Sequence, residues 1–191
     1  DRITAIMPMP EDESTWGDLD VMFATTRGTV RRNKLSDFVQ VNRNGKIAMK
    51  FDEEGDEILA VETCTENDDV LLTADSGQCI RFPVTDVRVF KGRDSQGVRG
   101  IAMGAGDRAI SLTILEHVEA QPWERSAYLK RSVAERRLTT AEGAEGEEDV
   151  SLTNEEVDEG GELSDERYEV LKAHEQFVLT VTELGYGKRS S

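Results

Sequence analysis

The stretch RVFKGRDSQGVRGIAMG, residues 88–104, sets Arg88, Lys91, Arg93 and Arg99 among Gly92, Gly97, Gly100 and Gly104. Glycine lets a backbone approach a ligand closely and cations neutralise it, so the first chemistry this pattern suggests is phosphate binding. The plainer alternative is glycine for tight turns and cations for solubility. Gly92 and Gly97 have P-loop spacing, but Val98 and Arg99 stand where Lys and Ser/Thr are required. GAGDRA, residues 104–109, matches a GxGxxA dinucleotide fingerprint, yet it leads into the β-branched run ISLTIL where that fingerprint needs a helix. Neither nucleotide motif holds. No carboxylate is paired with His, Cys or Ser in a catalytic pattern. Cys64 and Cys79 fall outside CxxC spacing and His117 and His174 are far apart, which argues against zinc. Both cysteines are expected as buried thiols.

The elements that carry the cations repeat. DVMFATTRGTVRRNKLSDF at 20–38 aligns with DVLLTADSGQCIRFPVTDV, which begins 49 residues later at Asp69. Each copy reads as an apolar strand, a turn at Gly28 or Gly77, and a second strand. A third copy opens at FVLTVTELGYGKRSS, 177–191, with Gly185 at the turn. The second halves, 45–62 and 100–115, read as strand, Gly-Asp turn, strand, with expected strands at Ile47–Phe51 and Ile101–Met103. Residues 2–9 are expected as the closing strand of a preceding unit. Four strands in about 50 residues is the size of a propeller blade, and such repeats stack because none buries its apolar face alone.

The third copy begins at Phe177 rather than 49 residues after Asp69, so something is inserted. Residues 117–174 carry a net charge of −9, against −7 for residues 1–116 and 0 for 175–191. Pro122 suits a first helical turn, and Trp123, Ala127, Val133 and Leu138 recur at helical spacing. Ser164 or Asp165 is expected to cap a second helix with Tyr168, Leu171 and Glu175 on one face. Between these helices the sequence reads as a disordered acidic loop. The expected organisation is therefore blades over 1–117, a helical and acidic insert over 118–174, and the start of the next blade over 175–191. The fold class is mainly β.

With 191 residues, 37% of them hydrophobic, the chain can bury a core. It is expected to be soluble and cytoplasmic, a piece of a longer protein, with no metal or cofactor of its own. A net charge of −16 argues against generic nucleic-acid binding, unless charge is segregated. The cations do recur with the repeat: Arg27, Arg31, Arg32, Lys34, Arg43, Lys46 and Lys50; then Arg81, Arg88, Lys91, Arg93 and Arg99; then Lys188 and Arg189. Equivalent positions on successive blades would form a stripe around a rim, which a bent phosphate backbone requires. The alternative is that they sit on solvated strand faces opposite acids.

DRITAIMPM, FATTRGTVRR, GKIAMKF, GDEILAV, GVRGIAMGAGDRAISL and TVTELGYGKRSS resemble the C-terminal domain of DNA gyrase A subunits, over residues 1–117 and 175–191. The resemblance implies a β-pinwheel, a propeller-like disc with strands exchanged between blades. It implies that the rim wraps double-stranded DNA in a positive sense, supporting ATP-dependent negative supercoiling by a type II topoisomerase of two A and two B subunits. ATP and Mg²⁺ would be used outside this segment, which lacks the cleaving tyrosine and the metal-binding module. Lys91, Arg93 and Arg99 would contact phosphates, with Arg27, Arg31, Arg32, Lys34, Arg43, Lys46, Arg81, Lys188 and Arg189 as further DNA contacts. The glutamine-arginine-glycine-rich gyrase box is absent and the acidic insertion departs from the common pattern. The related topoisomerase IV protein has a more degenerate domain, and GVRGI and GYGKR favour gyrase. A protein-interaction propeller is the rival in a different functional class.

Overall fold

The computed structural model describes residues 3–39, 43–45, 47–51, 54–139 and 161–191, with 137–139 described by backbone alone. The expected acidic loop thus lies mostly outside the described residues. The chain divides into two compact units, Asp1–His117 and Val118–Ser191.

In the first unit the repeat becomes two antiparallel sheets. Strands β1 (Asp20–Thr25), β2 (Thr29–Lys34) and β3 (Ile58–Cys64) belong to the first repeat. Strands β4 (Asp68–Ala74), β5 (Cys79–Pro83), β6 (Val98–Arg99) and β7 (Ala109–Glu116) belong to the second. The sheet orders are β3-β1-β2-β6 and β5-β4-β7, so a strand of the second repeat closes the sheet of the first. This is strand exchange between blades.

Alternation along β1 places Val21 and Phe23 in one core and Met22 and Ala24 in another. The latter core joins Met22, Ala24 and Val30 of the first sheet to Val70, Leu72 and Leu112 of the second. The other gathers Leu35 and Met49, with Met7 and Trp16 against them. Burying each such large apolar side chain contributes roughly 1.5–3 kcal/mol. Both faces of β1 are therefore tied down, and the edge of β2 is left as the place where another segment can pair.

Three expected strands differ. The strand expected at Ile101–Met103 forms instead at Val98–Arg99 and pairs with β2 of the first repeat, because the chain turns across Gly28, whose carbonyl accepts from Gly100 N at 2.8 Å and Ile101 N at 3.2 Å. Residues 47–51 form no ladder, since the β2 edge of their own sheet is already filled by β6. Residues 3–9 carry no strand either: Ile3 and Ile6 are 79% and 84% exposed, and Met7 packs against the core of Val21 and Phe23 outside any ladder. The cysteines also split. Cys64 is buried, and burial pushes its thiol up to about 12. Cys79, expected to be buried, is exposed, because no described residue seals this face of β5 whereas its counterpart Val30 is sealed between the sheets.

The second unit holds α1 (Pro122–Thr139), α2 (Asp165–Ala173) and the hairpin β8 (Val178–Val181) and β9 (Gly187–Ser190). Ser164 caps α2 by accepting from Arg167 N at 3.2 Å. Tyr168 and Leu171 are buried as the spacing predicts, but the buried residues of α1 are Tyr128 and Ser132, with Trp123, Ala127 and Val133 only partly covered. The Tyr128 and Tyr168 rings meet at 5.2 Å, and an aromatic pair outcompetes the smaller apolar stripe for the contact.

Candidate nucleic-acid interface

The cation-rich stretch of residues 88–101 is a strap laid along the outer edge of β2. Phe90 N donates to Arg32 O at 2.8 Å, Val98 and Arg99 pair with Val30 and Thr29, and Gly100 then reaches Gly28. Its glycines serve this close approach. Gly97 has φ +120°, and a Cβ there would meet Val30 O at 2.5 Å. Gly97 and Gly100 are thus explained by packing against β2, whereas a Cβ on Gly92 would meet Asp94 of the strap itself and one on Gly104 meets nothing within 4 Å.

What the strap carries on its outside is charge. Lys91 and Arg99 are exposed, Arg93 is half-buried, and Arg88 is exposed with its guanidinium 4.0 Å from the Phe90 ring centroid. Between residues 88 and 101 these four cations face a single acid, Asp94. The exposed Lys50 joins them: its Nζ lies 3.5 Å from Asp94 Oδ2 and its backbone N donates to Ser95 O. Arg27 is exposed in the turn beside Gly28, which the strap crosses. An edge strand with exposed cations resists pairing with other strands and presents charge to a long polyanion.

Other predicted contacts are absorbed by the fold. Arg31 is fully buried: Nε donates to Asn33 Oδ1, Nη1 to the carbonyls of Arg93 and Ser95 at 2.7 Å each, and Nη2 to that of Ala48. Burial, the larger effect, pulls its guanidinium pKa down. Arg32 is 3% exposed, its Nε donating to Asp20 Oδ2 at 2.6 Å and its Nη2 to Glu66 at 3.1 Å. Reading Arg31 and Arg32 as surface phosphate contacts is therefore corrected, since neither offers an exposed face. Lys34 is partly exposed but lies 2.8 Å from Asp20 Oδ1, and Arg81 lies 2.8 Å from Asp69 Oδ2.

The rim stripe of equivalent cations consequently takes another form. Arg32, Arg81 and Arg189 occupy matching repeat positions, and the first two close the same strand pair with an Asp at its start. In the third repeat the Asp position is Phe177, and Arg189 lies 3.5 Å over that ring. Arg43 and Lys188 are exposed, while Lys46 lies outside the described residues. Sequence reasoning leaves out Arg108, exposed beside the second Gly-Asp turn with Nε 3.7 Å from Asp75 Oδ2. The signal available for it was its place in GAGDRA, directly after that turn.

Both Gly-Asp turns are carboxylate-locked. Asp56 Oδ1 accepts from Thr26 Oγ1 and Arg27 N at 3.0 Å each. Asp107 accepts from Ser76 N, Ser76 Oγ and Arg108 N at 3.1, 2.7 and 2.9 Å. The Ser76 hydroxyl is the main reason the Asp107 carboxyl is held below its ordinary value.

Small antiparallel sheets recurring along the chain, the first of them closed by a strand lent from its successor, define a propeller-type repeat with blade-to-blade exchange and a cationic edge. The profile of the family described as DNA gyrase C-terminal domain, beta-propeller, matches residues 19–65, 68–116 and 176–191, and the chain belongs to that family. It is 48% identical over 196 positions to the DNA gyrase A protein of Granulibacter bethesdensis, covering 100% of this chain and 21% of that relative. Against the DNA gyrase A protein of Rickettsia bellii it is 44% identical over 191 positions, covering 100% and 20%. A solved structure of a DNA gyrase A C-terminal domain aligns with 24% identity and a TM-score of 0.46, covering 52% of this chain and 32% of that one. The chain spans about a fifth of the length of the curated relatives it matches.

Proposed function

We propose that this chain is part of a DNA-wrapping module of a DNA gyrase A protein, in which blade edges hold duplex DNA by its phosphates. The observation that carries this reading is the strap: Arg88, Lys91, Arg93 and Arg99, with Lys50 beside them, on one sheet edge of an otherwise acidic chain. Phosphate contacts position DNA without reading its sequence, so binding is weakly selective, steeply salt-dependent and favours bendable DNA. In this reading residues 1–117 are blades, 118–174 interrupt the repeat, and 175–191 open the next blade. The parent enzyme would introduce negative supercoils as an assembly of two A and two B subunits in the cytoplasm, on the chromosome. ATP and Mg²⁺ would act outside this segment, which contributes binding rather than bond chemistry.

The test uses the full-length protein that carries these residues. Duplex affinity is measured across a salt series for wild type and for Lys91→Glu/Arg93→Glu/Arg99→Glu. If the strap holds DNA, the variant binds far more weakly and the slope of log K against log salt becomes shallower by about 2 to 3, since each phosphate contact contributes roughly 0.9. Ligation of nicked plasmid in the presence of the protein reports the wrap, with a positive linking difference expected. An unchanged slope with no linking difference leaves the protein-interaction propeller as the reading.

A further inference from the structure

Arg31 stands out as a charge held inside the sheet. It is fully buried, and among the described residues its hydrogen-bond acceptors are one amide oxygen and three carbonyls, with no carboxylate. Asp94 favours the charged form of Arg31, whose Cζ lies 5.1 Å from the Phe23 ring centroid, but burying a charge with no carboxylate hydrogen-bonded to it is costly, so a residue serving only the sheet would be apolar here. The second repeat has such a residue, because the matching position on β5 is Ile80. What differs at Arg31 is the backbone around it. Its Nη1 holds the carbonyls of Arg93 and Ser95 in the strap, and its Nη2 holds Ala48 in the loop that carries Lys50. Asn33, which accepts from Arg31 Nε, donates in turn to the carbonyls of Phe90 at 2.7 Å and Gly92 at 3.4 Å. One guanidinium and its amide neighbour therefore tie two loops from successive repeats together beneath their exposed cations.

We propose that Arg31 is a positioning residue for polyanion binding: from inside the blade it fixes the loops bearing Lys50, Lys91 and Arg93 in one arrangement, without touching the ligand. The inference rests on the DNA-binding reading above. Lysine cannot replace it, because a single ammonium lacks the planar fork that serves carbonyls on both sides.

The decisive variant is Arg31→Lys in the full-length protein, which keeps the charge and loses the fork. Duplex affinity is expected to fall about tenfold, the scale of one lost hydrogen bond to a charged group. The salt slope stays unchanged because no phosphate contact is removed. Hydrogen exchange at the Phe90 and Val98 amides accelerates, while Met22 and Phe23 on β1 stay protected. A slope shallower by about one overturns the proposal, because it makes Arg31 itself a phosphate contact. Faster strap exchange with wild-type affinity also overturns it, provided the triple charge reversal of Lys91, Arg93 and Arg99 does weaken binding. If that reversal has no effect either, the DNA reading is what has failed. Should Arg31→Lys not fold, Asn33→Ala releases the Phe90 and Gly92 carbonyls while leaving the guanidinium in place. It is expected to give the same pattern at a smaller amplitude, and unchanged exchange and affinity in that variant count against the proposal.

Discussion

The first and second repeats build the same device in two environments. In each, an Asp at the start of one strand takes the Nε of an Arg on its hairpin partner: Asp20 with Arg32 at 2.6 Å, Asp69 with Arg81 at 2.8 Å. The first pair is sealed, with side chains 3% and 0% exposed, whereas Arg81 is 48% exposed over an Asp69 at 6%. The cause is the neighbourhood. A strap from the second repeat covers the hairpin edge of the first, and the carbonyls of Val84 and Val87 close over Arg32. The second hairpin has no such cover among the described residues. Identical chemistry is thus a buried ion pair in one blade and a surface one in the next, and burial rather than distance sets what each is worth.

Removing the arginines should separate the two most widely. Arg32→Ala leaves a buried carboxylate short of its main partner and is expected to cost about 3–5 kcal/mol in denaturant unfolding. Arg81→Ala is expected to cost under about 1 kcal/mol, because its charge is already half in water and His117 Nδ1 stays 2.9 Å from Asp69. Equal losses would show that the strap does not seal the first pair in solution.

The turn glycines sharpen the same contrast at a smaller scale. Gly28 and Gly77 match in the repeat and have φ +78° and +86°, but a Cβ on Gly28 would meet Ile101 Cγ2 at 2.7 Å, while one on Gly77 meets nothing within 4 Å. Gly77→Ala therefore carries only left-handed strain, about 1–2 kcal/mol. Gly28→Ala adds crowding of about 1–3 kcal/mol from the crossing strap, and the midpoint difference between the two variants measures that crossing. Coincident midpoints would remove it.

The cysteines extend the comparison to chemical access. Val30 and Cys79 match in the repeat, and only Cys79 is exposed. At pH 8 a maleimide should label Cys79 of the native protein and leave Cys64 untouched, because Cys64 is buried and its thiol is pushed up to about 12. Labelling at both sites would mean the core around Met22 and Val70 opens far more readily than its packing implies.

These contrasts also show what the sequence made legible. The 49-residue spacing, the Gly turns and the strand pairs were readable because each depends on residues close together in the chain. The strand expected at Ile101–Met103 lies at Val98–Arg99 instead because pairing there depends on where another repeat leaves an edge open, and the apolar Ile101 and Met103 cover the Gly28 turn. For the cations, residue type gave no measure of burial. Arg31 and Asn33 share a strand face by alternation, and that paired polar face opposite the apolar run of β1 was the available signal. Reading it as buried needed knowledge of the strap, which lies some 60 residues further on.

The smallest expected effect concerns the turn locks. Asp107 accepts three hydrogen bonds, and the Ser76 hydroxyl above all holds its carboxyl below the ordinary aspartate value of about 3.9. A carboxylate depressed in the folded state stabilises it above the unfolded pKa and loses that contribution as pH falls through the folded one. The lock should therefore persist at neutral pH and release only in acid. Carboxyl carbon shifts followed by NMR should show Asp107 titrating below the ordinary range, and Ser76→Ala should bring it back up. In the first repeat the position of Ser76 is Arg27, whose amide serves Asp56, and the hydroxyl comes from Thr26 one residue earlier, so Thr26→Ala should loosen that turn as well. An Asp107 titration that ignores Ser76→Ala would mean the serine only accompanies the turn, and that the backbone amides of Ser76 and Arg108 set its geometry.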